Sequence, residues 1–290
     1  MYKAFSFINI IGLAVGIACC IAIMLFVRNE LSYDRFNKNA DQIYRIHLHA
    51  FFNDKDINLA GSCAPLESTL LSDFPDVIAA TRLRSFGFPV LRYKDKAFSE
   101  EKFYWVDSTF FKVFTVQFIE GNPKTALTQP NTVVITEEMA KKYFGNEDPL
   151  GKILNADRSR DYIVTGVVNG FPGNSHFHFD FLGSLASYQD RNQSWASTNY
   201  YTYVVLRTGT DPVTFEMKMN KVLRLYFATD IKNITGGTYE QFEAVGNRIG
   251  YYLQPMTSIH LYSHLDFELE PNSNVAYVWI FSAIAVAILM

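Results

Sequence analysis

The chain has 290 residues and a net charge of −3, with 26 Lys and Arg against 29 Asp and Glu. That balance leaves no basic face for nucleic acid, and the length accommodates one or two domains. Of the three cysteines, Cys19 and Cys20 lie in an apolar run and Cys63 stands alone, which excludes a fold that depends on an intradomain disulfide.

The first element is uncharged from Ala4 to Val27, AFSFINIIGLAVGIACCIAIMLFV, and its clearly polar side chains are Ser6 and Asn9. As a helix the run is about 36 Å long, enough for a hydrocarbon core of ~30 Å, where backbone amides must be satisfied internally. It predicts a transmembrane helix over residues 1–28. The apolar region is too long for a cleaved signal peptide, and no small-x-small site precedes RNELSYD. Gly16 stands where a lipoprotein signal needs a Leu-like residue before Cys19. Gly12 and Gly16 form GxxxG, and with Asn9 they are the candidate helix-packing positions. Beyond Arg28, NELSYDRFNKNADQ carries Leu31, Phe36 and the i,i+4 acids Glu30 and Asp34. This pattern lets the helix continue to about Asn37 as a stalk of about 15 Å, with Glu30, Asp34 and Phe36 as its candidate residues. A short linker fits the same spacing.

Tyr44–His49 alternates as a half-buried strand. Leu66, Leu70 and Phe74, with Pro65 before them and Pro75 after, predict a short amphipathic helix. VIAATRLRS and Phe98–Val106 read as strands, followed by a capped turn carrying Phe110 and Phe111 and a strand over Val113–Ile119. In PNTVVITEEMAKKYFGNEDPLGKIL, Thr132–Ile135 is a strand and Thr136 caps a helix with Glu137 and Glu138 in its first turn. Met139, Ala140 and Phe144 make its buried stripe, and Gly145 ends it. Strands over Tyr162–Val168, Tyr200–Leu206 and Tyr251–Pro255 and a helix over Pro212–Phe227 complete an α+β domain with mixed or antiparallel sheets. Val275–Met290 is uncharged and about 24 Å long as a helix, with Tyr277 and Trp279 suited to an interfacial belt. It reads as the start of a second membrane helix, cut short, or else as a buried C-terminal helix. Two such helices bracket residues 29–274. Lys3 and Arg28 balance each other, so charge does not select the side of the membrane.

Gly145, Gly151 and Lys152 imitate a phosphate loop but fail it: the glycines are too far apart, Ile153 stands at the Ser/Thr position, and the stretch follows a helix. The six histidines form three close pairs, His47/His49, His176/His178 and His260/His264. Each pair offers at most two ligands where a stable zinc site needs three or four. His47 and His49 are expected on the wet face of their strand, and Phe177 and Phe179 on the buried side of theirs. The adjacent acids Glu100-Glu101 and Glu137-Glu138 read as solvated, and the sequons at Asn192 and Asn233 as chance matches. No nucleophile elbow, HExxH or CxxC occurs. No catalytic, cofactor-binding or metal residues are expected, and binding or coupling is favoured over chemistry.

The ordered segments FINIIGLAVGIACCIAI, NELSYDRFNKNADQIYRI, DFPDVIAATRLR, VDSTFFKVFTVQFIEGNPKTAL, QPNTVVITEEMAKKYFGNEDPLGKIL, YIVTGVVNGFPGNSHFHFDFLGS and HLDFELEPNSNVAYVWIFSAIAVAILM resemble a MacB/FtsX-type ABC transporter permease, in its first membrane helix and periplasmic core domain. The resemblance covers essentially the whole chain. It implies a two-subdomain periplasmic part, with an insertion near residues 126–198, in a multi-pass bacterial inner-membrane protein. It also implies a cytoplasmic ABC ATPase subunit that carries ATP and Mg, and a homodimer or pseudo-dimer of permease halves in membrane lipid. A periplasmic adaptor or cargo such as peptides, antibiotics or lipoproteins completes the expected partners, with no nucleic acid. Relatives carry a basic cytoplasmic segment before the first helix, of which Lys3 alone stands here. The alternatives are a two-helix sensor ectodomain, an FtsX-like regulator of cell-wall hydrolases, and an anchored hydrolase, for which the catalytic groups were not found.

Overall fold

The computed structural model describes residues 2–85, 87–188 and 193–290, with backbone alone for residues 2–4. Met1 of the expected first helix, the side chain of Lys3 and Asn192 of the first sequon therefore lie outside the described residues. The apolar run forms α1 (Tyr2–Leu31), whose Phe5, Ile8, Leu13 and Met24 project outward as lipid would require. The helix does not reach Asn37. Ser32 hydrogen-bonds back to the Asn29 carbonyl through both its amide and its hydroxyl, and Asp34 then adopts φ 62°. A left-handed residue cannot continue a right-handed helix, so the expected stalk is replaced by a tight turn.

β1 (Ile43–Phe52) and β2 (Lys55–Leu59) form a hairpin, followed by α2 (Leu66–Asp73), with Pro65 at its start as expected, and β3 (Val77–Arg84). β4 (Val90–Tyr93), β5 (Lys96–Ser99) and β6 (Phe103–Val106) come next, so the expected strand over 98–106 is two strands. The break falls at Glu100. Its carboxylate is buried and accepts from Lys142 Nζ at 2.8 Å and from the Tyr143 hydroxyl, which corrects the expectation that it is solvated. α3 (Phe110–Val113) absorbs Val113, and Phe114 donates its amide to the Phe110 carbonyl. The strand expected from Val113 is therefore delayed to β7 (Phe118–Gly121).

β8 (Thr132–Thr136) leads into α4 (Glu137–Phe144) as expected: Thr136 accepts from the Met139 amide, and Gly145 closes the helix at φ 65°. β9 (Ile153–Ala156), β10 (Arg160–Val168), β11 (Phe181–Ser184) and β12 (Tyr201–Leu206) follow. α5 (Pro212–Thr235) outruns the expected end at Phe227 because Ile231 extends the buried stripe of Phe215, Met219, Leu223 and Phe227. α6 (Tyr239–Ala244) opens on a capping box, β13 (Arg248–Pro255) returns, and α7 (Ile259–Tyr262) precedes α8 (Val275–Leu289).

The strands make one mixed sheet in the order β13-β1-β12-β3-β6-β11-β8-β10-β9-β4-β5, with β2 on β1 and β7 on β10. The β6/β11 and β8/β10 pairs are parallel and the others antiparallel. Residues 126–198 supply β8–β11 and α4. One face of β1 and β12 carries Ile46, Leu48 and Val204 into a core beneath α2, α5 and α6. The other face carries Ile43, Tyr203 and Val205 into an aromatic core with Phe110, Phe114, Phe177 and Phe179. Each fully buried Phe or Leu contributes about 1.5–3 kcal/mol, so both faces of this region are committed to packing. The outer edge of β13 is blunted by α5: Glu216 accepts from the Leu253 amide, and Asn220 bonds both backbone groups of Tyr251.

Gly121 sits at φ 93°, where a Cβ would lie 2.5 Å from the Thr165 carbonyl oxygen, whereas Gly145 has open space around it. Gly121→Ala is expected to cost about 3 kcal/mol in denaturant unfolding of the detergent-solubilised chain, and Gly145→Ala about 1 kcal/mol. Equal losses would refute the close β7–β10 approach.

Candidate functional site

The end of α1 is built into the domain. Glu30, in the last turn of α1, is buried, and its carboxylate meets His260 Nε2 of α7 at 3.1 Å. Tyr33 stacks face to face on the His260 ring. Asp34 donates its amide to the Asn174 carbonyl, while the Asn174 side chain donates back to the Ser32 carbonyl and hydroxyl. Phe36 packs against Phe171 of the aromatic core. Asn37 bridges the Asp34 carbonyl and the Thr115 amide.

From Asp34 a buried polar chain crosses the sheet. Its Oδ1 accepts from the backbone amide of His176 and meets His176 Nδ1 at 2.8 Å, and His176 Nε2 lies 2.7 Å from the Tyr203 hydroxyl. Complete burial holds the Tyr203 hydroxyl well above its ordinary pKa, so it is present as the neutral phenol. Its cross-strand neighbour on β1 is Arg45, which faces Gln254 of β13 on its other side. Arg45 has no exposed surface. Its guanidinium donates to both oxygens of Glu268, to Gln254 Oε1 at 2.5 Å and to Ser263 Oγ at 2.8 Å. Glu268 belongs to residues 263–274, the strap that leads into α8. The same strap places Glu270 against His178, with Nδ1 to Oε2 at 3.0 Å and the His178 amide to Oε1 at 2.6 Å. The segments at the ends of both apolar helices are thus fastened to the domain, at a neck, by Glu30–His260 on α7, Asp34–His176 and Glu270–His178 in the segment between β10 and β11, and Glu268–Arg45 on β1.

Beyond the neck the two helices run side by side. Gly16 would place a Cβ 3.4 Å from Ile288 Cγ2, Cys20 Sγ lies 3.5 Å from the Ala285 carbonyl, and Phe26 meets Phe281 edge-on. Asn9 is exposed, and Gly12 has no atom within 4 Å of its would-be Cβ. Of the sequence-chosen residues, Glu30, Asp34 and Phe36 converge at the neck, Gly16 faces α8, and Asn9 and Gly12 face outward. Reading from sequence missed Arg45, Tyr203, Glu268, Glu270 and the roles of His176, His178 and His260. A signal was available for Arg45, which lies two positions from Ile43 on an inward-facing side of its strand. His176 is buried alongside Phe177 and Phe179, which the alternation did not anticipate. His47 is half-buried instead of wet; burial and the nearby Arg45 push its pKa down to about 4. Among the described residues no group of three or more His, Cys, Asp or Glu is placed to hold a metal ion.

The model of the MacB-like periplasmic core domain family matches residues 6–222. The macrolide export ATP-binding/permease protein MacB of Aggregatibacter actinomycetemcomitans is 36% identical over 94 residues, which is 30% of this chain and 14% of that protein. The chain therefore spans a small part of this curated relative. A crystallised domain of a candidate permease from Porphyromonas gingivalis aligns with a TM-score of 0.64 and 22% identity, covering 84% of this chain and 98% of that one. The periplasmic region of MacB from Actinobacillus actinomycetemcomitans aligns with a TM-score of 0.50 and 18% identity, over 76% of this chain and 91% of that one. At these identities the structural likenesses establish the fold.

Removing Arg45 leaves Glu268 partly buried beside Gln254 and Ser263 with no cation. Arg45→Met is expected to cost about 3–5 kcal/mol in denaturant unfolding, and pairing it with Glu268→Met to recover part of that loss. A double variant no more stable than the single one would show that Arg45 acts by packing alone.

Proposed function

The chain belongs to the MacB-like periplasmic core domain family, and from that premise we propose that it is the sheet domain and flanking membrane helices of an ABC-type transporter permease. A separate cytoplasmic ATPase would bind ATP and Mg and move the helices, and this chain would carry that motion outward without chemistry of its own. The observation that supports the reading is the neck: the segments ending both apolar helices make polar contacts to the same domain, so neither helix can tilt or slide without displacing it. The domain would face the periplasm from the inner membrane, and the functional unit would be a pair of permease halves. The use would be export of peptides, antibiotics or lipoproteins, with mechanical control of a periplasmic partner as the alternative.

The neck is the place to test coupling. In the full-length permease with its cognate ATPase, Glu30→Ala combined with His260→Ala is expected to preserve assembly. The same variant should reduce ATP-driven movement of the domain several-fold, read by spin-label distances. Undiminished movement would remove the neck from the coupling route. If the full-length protein neither binds nor stimulates any ATPase, the permease reading fails and a two-helix sensor stands in its place.

Sidedness needs an engineered reporter. Cys63 is fully buried, and burial pushes its thiol up to about 12, so it will not react with maleimides. Val245 is 76% exposed at the end of α6. Val245→Cys is expected to be labelled by a membrane-impermeant maleimide from the periplasmic side. Labelling that requires access from the cytoplasm would overturn the placement.

A further inference from the structure

The strap of residues 263–274 joins α7 to α8 with almost no regular structure, and few contacts hold it to the sheet. Asp266 makes two backbone bonds to the β2 region, with Asn58 and Ala60. Tyr201 donates to the Phe267 carbonyl at 2.7 Å, and Glu268 receives Arg45. Glu270 is the last charged residue before the membrane helix, and its partner is His178.

The two nitrogens of His178 face acceptors. Nδ1 lies 3.0 Å from the Glu270 carboxylate, and Nε2 lies 3.1 Å from the Pro172 carbonyl, which can only accept. An imidazolium satisfies both contacts. A neutral ring must turn a lone pair toward one of the two oxygens and lose that bond. His176 differs, because its Nε2 faces a hydroxyl that can donate, and its side chain is 1% exposed. The side chains of His178 and Glu270 are 25% and 29% exposed, so solvent protons reach them.

We propose that His178 and Glu270 form a proton-set latch on the strap, closed when His178 is protonated and loosened as the periplasm turns alkaline. It deepens the permease reading, because the element it holds is the segment entering α8. The hydrogen bond to Glu270 raises the His178 pKa above its ordinary value, against the opposing pull of burial. Burial alone would raise Glu270, but the bonds from the His178 side chain and amide outweigh it and hold the carboxyl below its usual range. His178 therefore stabilises the closed strap below about pH 6.5, and that contribution is lost as pH rises through its raised value. Glu270 contributes above about pH 4.5 and fails as pH falls through its lowered value. The latch is firmest between these limits. The other charged groups at this place are Lys102, Glu137, Glu138 and Asp180 along the cleft beside His178, with Tyr33 and Tyr104 facing Glu270. Lys102 opposes the charge on His178 and supports that on Glu270.

Amide hydrogen exchange of the whole chain in nanodiscs, corrected for intrinsic rates, tests the latch without any ATPase. Protection of residues 263–274 is expected to fall about fivefold between about pH 5.5 and about pH 8. His178→Gln and Glu270→Gln should each flatten that profile, while His264→Gln, in the same strap, should leave it unchanged. A flat wild-type profile, or a fall that survives His178→Gln, overturns the proposal. If the variants fail to fold, NMR titration of the His178 ring in the wild type decides: a midpoint at or below about 6.5 overturns the proposal, and one above supports it. A flat strap in a chain that still couples to its ATPase would sink the latch and leave the permease reading intact.

Discussion

A guanidinium with no exposed surface must find an anion, because taking an unpaired charge out of water costs more than a small domain can supply. Arg45 imposes that demand at the middle of the four-strand end of the sheet. Its cross-strand neighbours, Tyr203 and Gln254, offer only neutral groups. The carboxylate must come from outside the sheet, and Glu268 brings it. The strap is therefore routed across β1 on its way to the second apolar helix. Ser263, which donates to Glu268 and accepts from Arg45, anchors the beginning of the same segment. The path of the irregular strap, residues 263–274, is set by that charge more than by backbone propensity.

Asp34 plays the matching part at the other helix. Its left-handed backbone ends α1 and turns the chain so that the carboxylate points inward, where His176 and Ser175 meet it. Asn37 and Phe36 then lock the turn to the aromatic core on the opposite side from α5. A flexible linker would let a membrane helix move with little consequence for the domain. A turn whose polar atoms are tied to three separate segments cannot, because each displacement leaves a buried donor or acceptor unmet. The stiffness expected of a helical stalk is thus obtained from a short, cross-braced turn.

How far these features were legible in the sequence depends on the distance over which their causes act. The membrane helix follows from composition, and α4 follows from a cap, two acids and a terminating glycine within a dozen or so positions. The strands β4, β9 and β11 are four residues each, too short to show a period, and exist because neighbours pair with them. The neck was the least legible part. Its contacts join residues 142, 230 and 223 positions apart: Asp34 to His176, Glu30 to His260, and Arg45 to Glu268. Spacing drew attention to histidines that are close in sequence, yet each neck histidine is defined by a carboxylate on a distant segment. Glu100 misled for the same reason, since Lys142 and Tyr143 arrive from α4.

The two apolar helices touch along an apolar seam, through Gly16 against Ile288, Cys20 against the Ala285 carbonyl and an edge-on pair of phenylalanines. Lipid tails are as apolar as these side chains, so such contacts alone hold a pair of helices weakly. Their alignment is fixed more firmly at the neck, where the bonds are polar and Glu30, Asp34, His176 and Arg45 are buried. Force applied anywhere along α1 reaches Glu30 and Asp34 first, and force on α8 reaches Glu270 and Glu268. These four carboxylates end on histidines packed over the sheet and on an arginine within it. Under the permease reading, the sheet moves as the helices move because the strap that joins it to α8 is held by charge.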